Sequence, residues 1–299
     1  MSEYFPFDPA PHGPAFAVPA GATDCQFHVF GPPETYPVRP GAAYQMPRAT
    51  IAEALRMHAV LGIARGVIVQ ATTYGTDNSA MLDALAIAGP NYRGCTIGAS
   101  LLDLDDRAIG LLDAAGVRGA RFNFLGAVNL LPDEAAFARA VARAKELGWY
   151  IKIQPGQAGI LDSVSLYETL DLPVVIDHMG RPDIREGLDG PTVAKVCDLL
   201  RRGNVWVLLS NGHKISAEGP PWADAAGIAR TYISAAPDRV LWASDWPHPL
   251  SKTPPPNDGD LLDLLNRYCD GDKALLRTIL SDNPAALFGF PAWSMSGSD

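Results

Sequence analysis

Short apolar runs alternate with longer helical patterns along most of this chain. The first run, Ala22-Thr-Asp-Cys-Gln-Phe-His-Val29, reads as a strand. Its polar residues Asp24, Gln26 and His28 fall on alternate positions, which predicts one shared face. Further strands are predicted at 66–70, 96–102, 119–124, 150–155, 173–178, 205–210 and 240–244. Apolar residues at i, i+3 and i+4 predict helices near 51–62, 78–89, 105–115, 133–147, 160–170, 191–202 and 222–235. Thr50 with Glu53 reads as a capping box for the first helix, and Gly62, Gly116, Gly148 and Gly203 stand where helices end.

Eight strands alternating with helices imply parallel strands joined by right-handed crossovers. The expectation is an α/β fold, a (β/α)8 TIM barrel in one domain over residues 22–290. A doubly wound sheet would want a glycine-rich phosphate turn after its first strand, and Gln26-Phe27-His28-Val29-Phe30 is not one. Residues 1–21, rich in Pro and Gly, form an arm, and 291–299 form a tail. The segment 30–48 holds five prolines and is long for a connection, as functional loops often are.

Composition narrows the partners. Of 299 residues, 47% are apolar and 19% charged, which suits a large core and not a disordered chain. The net charge of −9, with no Lys/Arg cluster, argues against nucleic acid. An anionic ligand would then need individual Arg and Lys residues to hold it. No apolar run reaches membrane-spanning length and no signal peptide is visible, so no membrane partner is expected. The scattered Cys25, Cys95, Cys197 and Cys269 read as reduced thiols, and with them a cytoplasmic location. A homo-oligomer is compatible with everything above.

In a barrel, polar residues at strand C-termini converge on one mouth, where active sites lie. Val240-Leu-Trp-Ala-Ser-Asp-Trp-Pro-His248 is the most informative stretch: an apolar strand that stops at Ser244-Asp245 before a proline. Asp245 therefore belongs at the mouth, with His248 just beyond. The other strand ends offer Gln26 and His28, Gln70 and Thr72, Arg121 and Asn123, Gln154, Asp177 and His178, and Ser210 and Asn211.

The Asp24-to-His28 start, the Asp177-His178 pair and Ser244-Asp-Trp-Pro-His248 resemble the amidohydrolase superfamily. The closing stretch 279–289 is similar to the tail of its amidohydrolase 2 branch. Within that branch the chain looks nearest to 2-pyrone-4,6-dicarboxylate hydrolases and related lactonases, through Gly119-Ala-Arg-Phe-Asn-Phe124 and Gly75-Thr-Asp-Asn78. Galactarolactone isomerases are similar through residues 24–28 and the Gly-Ala-Val-Asn-Leu stretch at 126–130. Metal-binding members open with His-x-His. Here the first of that pair is Gln26, a poor zinc ligand. No cofactor is therefore expected, with zinc held by His28, His178 and Asp245 as the alternative. The resemblance also implies several arginines for two substrate carboxylates. Arg121 matches one, Ala127 stands at a second, and His213-Lys214 replaces a third, so one anionic group is easier to accommodate than two.

The expected activity is metal-independent opening of a small carboxylated lactone, muconolactone- or pyrone-carboxylate-like. Asp245 would be the general base toward water, His28 and His178 the donors to the oxyanion, and Arg121 the carboxylate clamp. Gln26, Tyr44, Thr72, Tyr74, Asn123, Gln154, Lys214 and His248 are expected to line the pocket, with Tyr44 on a loop that could close as a lid. A salt bridge to Asp177 is the competing role for Arg121. Three alternatives stand beside hydrolysis: a lactone isomerase, a zinc hydrolase or decarboxylase, and a barrel that only binds a small acid.

Overall fold

The computed structural model describes residues 4–128, 130 and 133–293. Part of the expected tail, Asn129 of the 126–130 stretch and the side chain of Ala127 lie outside the described residues. The strands are β1 (Thr23–Phe27), β2 (Arg65–Val69), β3 (Tyr92–Ile97), β4 (Val117–Asn123), β5 (Tyr150–Gln154), β6 (Val174–Ile176), β7 (Val205–Leu209) and β8 (Val240–Trp242). They form one parallel sheet in sequence order. The helices are α1 (Ile51–Leu61), α2 (Ser79–Ala88), α3 (Ser100–Asp103), α4 (Asp106–Ala114), α5 (Glu134–Glu146), α6 (Pro191–Leu200), α7 (Gly212–Ile215), α8 (Ala223–Ala235), α9 (Asp258–Tyr268), α10 (Lys273–Arg277) and α11 (Asn283–Phe288). Among the described residues no helix is long and apolar enough to cross a membrane.

The sheet curls until β8 meets β1. Just past β8, the Asp245 N–H donates to the Gln26 carbonyl at 3.1 Å, and the His28 N–H donates to the Trp246 carbonyl at 2.7 Å. These bonds close the seam at the mouth. Residues such as Cys25, Val67, Cys95, Val175, Leu208 and Leu241 fill the barrel interior, apart from the larger core between strands and helices. The arm packs over the mouth side, with the Phe7 and Trp246 rings 4.7 Å apart. All four cysteines are free and buried.

Three expectations change. The third strand runs over Tyr92–Ile97, and the segment expected to continue it to 102 turns into α3. Gly98 makes that turn tight, because a Cβ there would meet the Phe122 ring at 2.5 Å. The helix expected at 160–170 is a pair of 3₁₀ turns, Ile160–Asp162 and Val164–Leu166. An i, i+3 apolar spacing serves either form, so spacing alone does not separate them. Finally, a register shift between Asp24 and Phe27 breaks the alternation of β1. Asp24 meets His58 of α1, while Gln26 and His28 turn toward Asp245. A bulge moves side chains to the opposite face.

Candidate active site

Asp245 sits on the β8–β1 seam with a left-handed backbone, φ 61°. A non-glycine residue keeps that conformation only when its surroundings hold it. Asp24 supplies part of the hold. It accepts from the Ser244 hydroxyl at 2.5 Å, the Ser244 N–H at 3.1 Å and the Gln26 N–H at 3.1 Å. The Ser244 oxygen in turn accepts from the Trp246 N–H at 3.0 Å.

Four side chains surround the Asp245 carboxylate. Gln26 Nε2 donates to Oδ1 at 2.9 Å, and His28 Nε2 is 3.5 Å from the same oxygen. Asn211 Nδ2 donates to Oδ2 at 3.0 Å, and Lys214 Nζ lies 3.6 Å away. Burial opposes ionisation of Asp245. His178, the His28 hydrogen bond and Lys214 outweigh it and hold the carboxyl well below the usual carboxylate range. His178 is itself pushed down to about 4, chiefly by burial, so it is neutral at pH 7.

Partner chemistry fixes the histidine tautomers. His28 Nδ1 is 2.8 Å from the Val69 carbonyl, an acceptor only, so Nδ1 carries a hydrogen and donates it there, while Nε2 faces Asp245 and the cavity. Asn211 Nδ2 must donate to the carboxylate, and its second hydrogen reaches His178 Nδ1 at 3.0 Å. His178 Nδ1 is thus an acceptor, also from the Ser210 hydroxyl at 2.8 Å, and Nε2 carries the hydrogen. That Nε2–H lies 3.5 Å from Arg121 Nη2, so two donors stand side by side.

Arg121 makes the Asp177 contact that competed with its expected role as carboxylate clamp. Its Nε meets Asp177 Oδ2 at 2.8 Å, the structural ion pair, while the residue also lines the cavity. Asp177 faces Lys152 as well, at 3.1 Å. Burial opposes the Asp177 charge, and Lys152 and Arg121 still hold its pKa low. Two cations around one carboxylate leave net positive charge directed at the mouth.

The cavity encloses about 260 Å³. Asp245, His28, His178, Arg121, Tyr44, Thr72, Asn123, Gln154 and Lys214 line it. Tyr44 is joined to Thr72 at 3.2 Å, and Asn123 donates to Gln154 at 2.8 Å. Three expected lining residues lie elsewhere. Gln26 stands behind Asp245, its amide spent on Oδ1. Tyr74 is buried against Phe30, ring centres 6.1 Å apart. His248 turns away to Asp258, 3.1 Å distant.

Sequence reasoning missed Arg181 and Lys152. Arg181 lines the cavity from the turn after His178, with φ 53°. Burial lowers its pKa, and among the described residues it has no ion-pair partner. Its signal was a cation four residues past Asp177 on the same strand-end loop. Lys152 was visible as a polar residue alternating with Ile151 and Ile153, which places it on the inner face. With Arg121, Arg181 and Lys214 at one cavity, the expectation of a single anionic group on the ligand no longer follows from a shortage of cations.

This donor set does not fit a zinc ion. Zinc needs lone pairs, and Gln26 offers an N–H to Asp245 where a second imidazole would be required. His178 presents its protonated nitrogen. Among the described residues no three His, Cys, Asp or Glu side chains converge as a metal site would demand.

Comparison with known proteins agrees with this architecture. The chain is 35% identical over 288 residues to a 2-pyrone-4,6-dicarboxylate hydrolase of Comamonas testosteroni, covering 93% of each. It is 35% identical to a 4-sulfomuconolactone hydrolase of Hydrogenophaga intermedia, over 92% of this chain and 90% of that one. A D-galactarolactone isomerase of Agrobacterium fabrum is 32% identical, over 92% of each. The amidohydrolase family model matches residues 23–290, and the chain belongs to that family.

Proposed function

We propose that this protein hydrolyses the lactone ring of a small acidic substrate without a metal ion. The observation that carries the reading is an ionised Asp245 facing the paired donors His178 Nε2 and Arg121 Nη2 across one small cavity. A ring of muconolactone or pyrone size with its acid groups suits about 260 Å³. The substrate acids would engage Arg121, Arg181 and Lys214. The named lactone hydrolases among the relatives support this substrate class.

Water held between Asp245 and His28 Nε2 would attack the lactone carbonyl. Asp245 takes one proton as the new C–O bond forms, and the oxyanion is met by the His178 and Arg121 donors. Collapse breaks the ring C–O bond. The departing oxygen recovers the proton from Asp245, and an open-chain acid leaves. A lactone is an activated ester, so fixed donors can supply what a Lewis acid otherwise would. The placement of Gln26 and the His178 tautomer favour this metal-free route.

The test is a panel of 2-pyrone-4,6-dicarboxylate, muconolactones and sugar lactones, offered to chelator-treated protein whose zinc content is measured. Turnover of a ring-bearing acid to its open-chain product at substoichiometric zinc is expected. Conversion to a second lactone with no open-chain product would replace water by a substrate hydroxyl and make the enzyme an isomerase. Activity lost on chelation and restored by zinc would end the metal-free reading.

A further inference from the structure

We infer that His248 and Asp258 form a buried strut that positions Asp245, and that neither touches substrate. The inference rests on the reading of Asp245 as the base. The turn from Asp245 to His248 begins and ends in the left-handed region, with φ 61° at both residues. The His248 N–H donates to the Asp245 carbonyl at 2.7 Å, so the two backbones move together. The His248 side chain is fully buried, and its Nε2 meets Asp258 Oδ1 at 3.1 Å. Asp258 is the first residue of α9, and Asn257 caps that helix by accepting from the Gly259 N–H at 3.0 Å. The strut therefore ties a strained turn to a capped helix.

Its far side reaches a second site residue. The His213 ring packs edge-on against His248, centres 6.0 Å apart. His213 belongs to α7, the short helix that carries Lys214 toward Asp245. His248 thus stands behind both the base and the cation opposite it. Two non-glycine residues at positive φ are costly in isolation, and the turn persists because neighbours over-determine it. Without the His248–Asp258 bond, Asp245 would drift from Gln26 and Asn211, and displacement by about 1 Å is enough to cost roughly a hundredfold in rate.

The experiment compares His248→Phe, His248→Gln, Asp258→Asn and Asp245→Asn in the full-length protein, with 2-pyrone-4,6-dicarboxylate or whichever panel lactone turns over. His248→Phe keeps the ring volume without the N–H. It should lower kcat by roughly ten- to hundredfold and leave KM within about threefold. His248→Gln can still donate to Asp258 and should recover most of that loss. Asp258→Asn repeats the test from the other end should the Phe variant fold poorly. A rise in KM at constant kcat would make His248 a substrate contact and overturn the inference. So would full turnover by His248→Phe, or by Asp258→Asn where the Phe variant does not fold, alongside an inactive Asp245→Asn. Failure of Gln to rescue would equally overturn it. An active Asp245→Asn would instead remove the reading of Asp245 as base, and the strut with it.

Discussion

Replacing Arg121 by Met and Arg181 by Met should separate binding from folding. Arg121 has two duties, because its Nε holds Asp177 at 2.8 Å while its Nη2 stands beside His178 at 3.5 Å. Loss of a charge-assisted hydrogen bond to a substrate acid costs about 1.5–3 kcal/mol, or roughly ten- to hundredfold in KM. Removing one partner of a buried ion pair costs about 3–5 kcal/mol of stability. The Arg121 variant should fall at the low end of that range, since Lys152 still faces Asp177 at 3.1 Å. Arg181 has no ion pair among the described residues, so its Met variant should lose the same order of affinity with little loss of stability. Steady-state kinetics on the acid and its neutral methyl ester, with urea unfolding of each variant, provide the assay. The acid should lose affinity for both variants, and the ester for neither. Equal losses of affinity for acid and ester in the Arg121 variant, with kcat unchanged on both, would mean that this guanidinium only braces the barrel. Equal losses in the Arg181 variant would remove it from substrate recognition.

Three further outcomes follow from the buried charges. The unfolded chain protonates His178 near 6.5, while the folded protein does so only near 4. The unfolded state therefore binds more protons between those values, and stability should fall as pH drops from 6.5 to 4. His213, pushed down chiefly by burial to about 3, extends the loss to that pH. Asp245 stays ionised across the window, so the acid limb of kcat/KM should lie near 4 with His178. A limb near 6.5 would deny that His178 works as a neutral donor. Lys152→Met should cost about 3 kcal/mol in urea unfolding, because Asp177 keeps only Arg121. An unchanged midpoint would show that Lys152 does not stabilise the buried carboxylate.

The barrel was legible because strand and helix periods differ and each β/α unit repeats the contrast. Polar residues at strand ends were legible for the same reason: Asp245, His28, His178 and Arg121 interrupt apolar runs where a barrel has its mouth. What stayed hidden depends on single-residue geometry. One bulge in β1 turned Asp24 to the helix layer, where it holds Ser244 and His58. Arg181 enters the cavity from a left-handed turn, which no periodicity reports. His248 and Gln26 stand next to lining residues in sequence and behind them in space. Their partners, Asp258 and Asp245, are 10 and 219 residues away along the chain. Distances of that kind are set by topology and not by local pattern.

Asp245 is proposed above as the base of a metal-free hydrolysis. Asp245→Asn, assayed after chelation with zinc quantified, tests it most directly. The amide keeps the carboxylate's shape but cannot take a proton from water. A positioned base is worth ~10²–10⁴-fold, so kcat should fall by that order with the fold retained. A chelated Asn variant turning over lactone within a few-fold of the wild type would contradict the account.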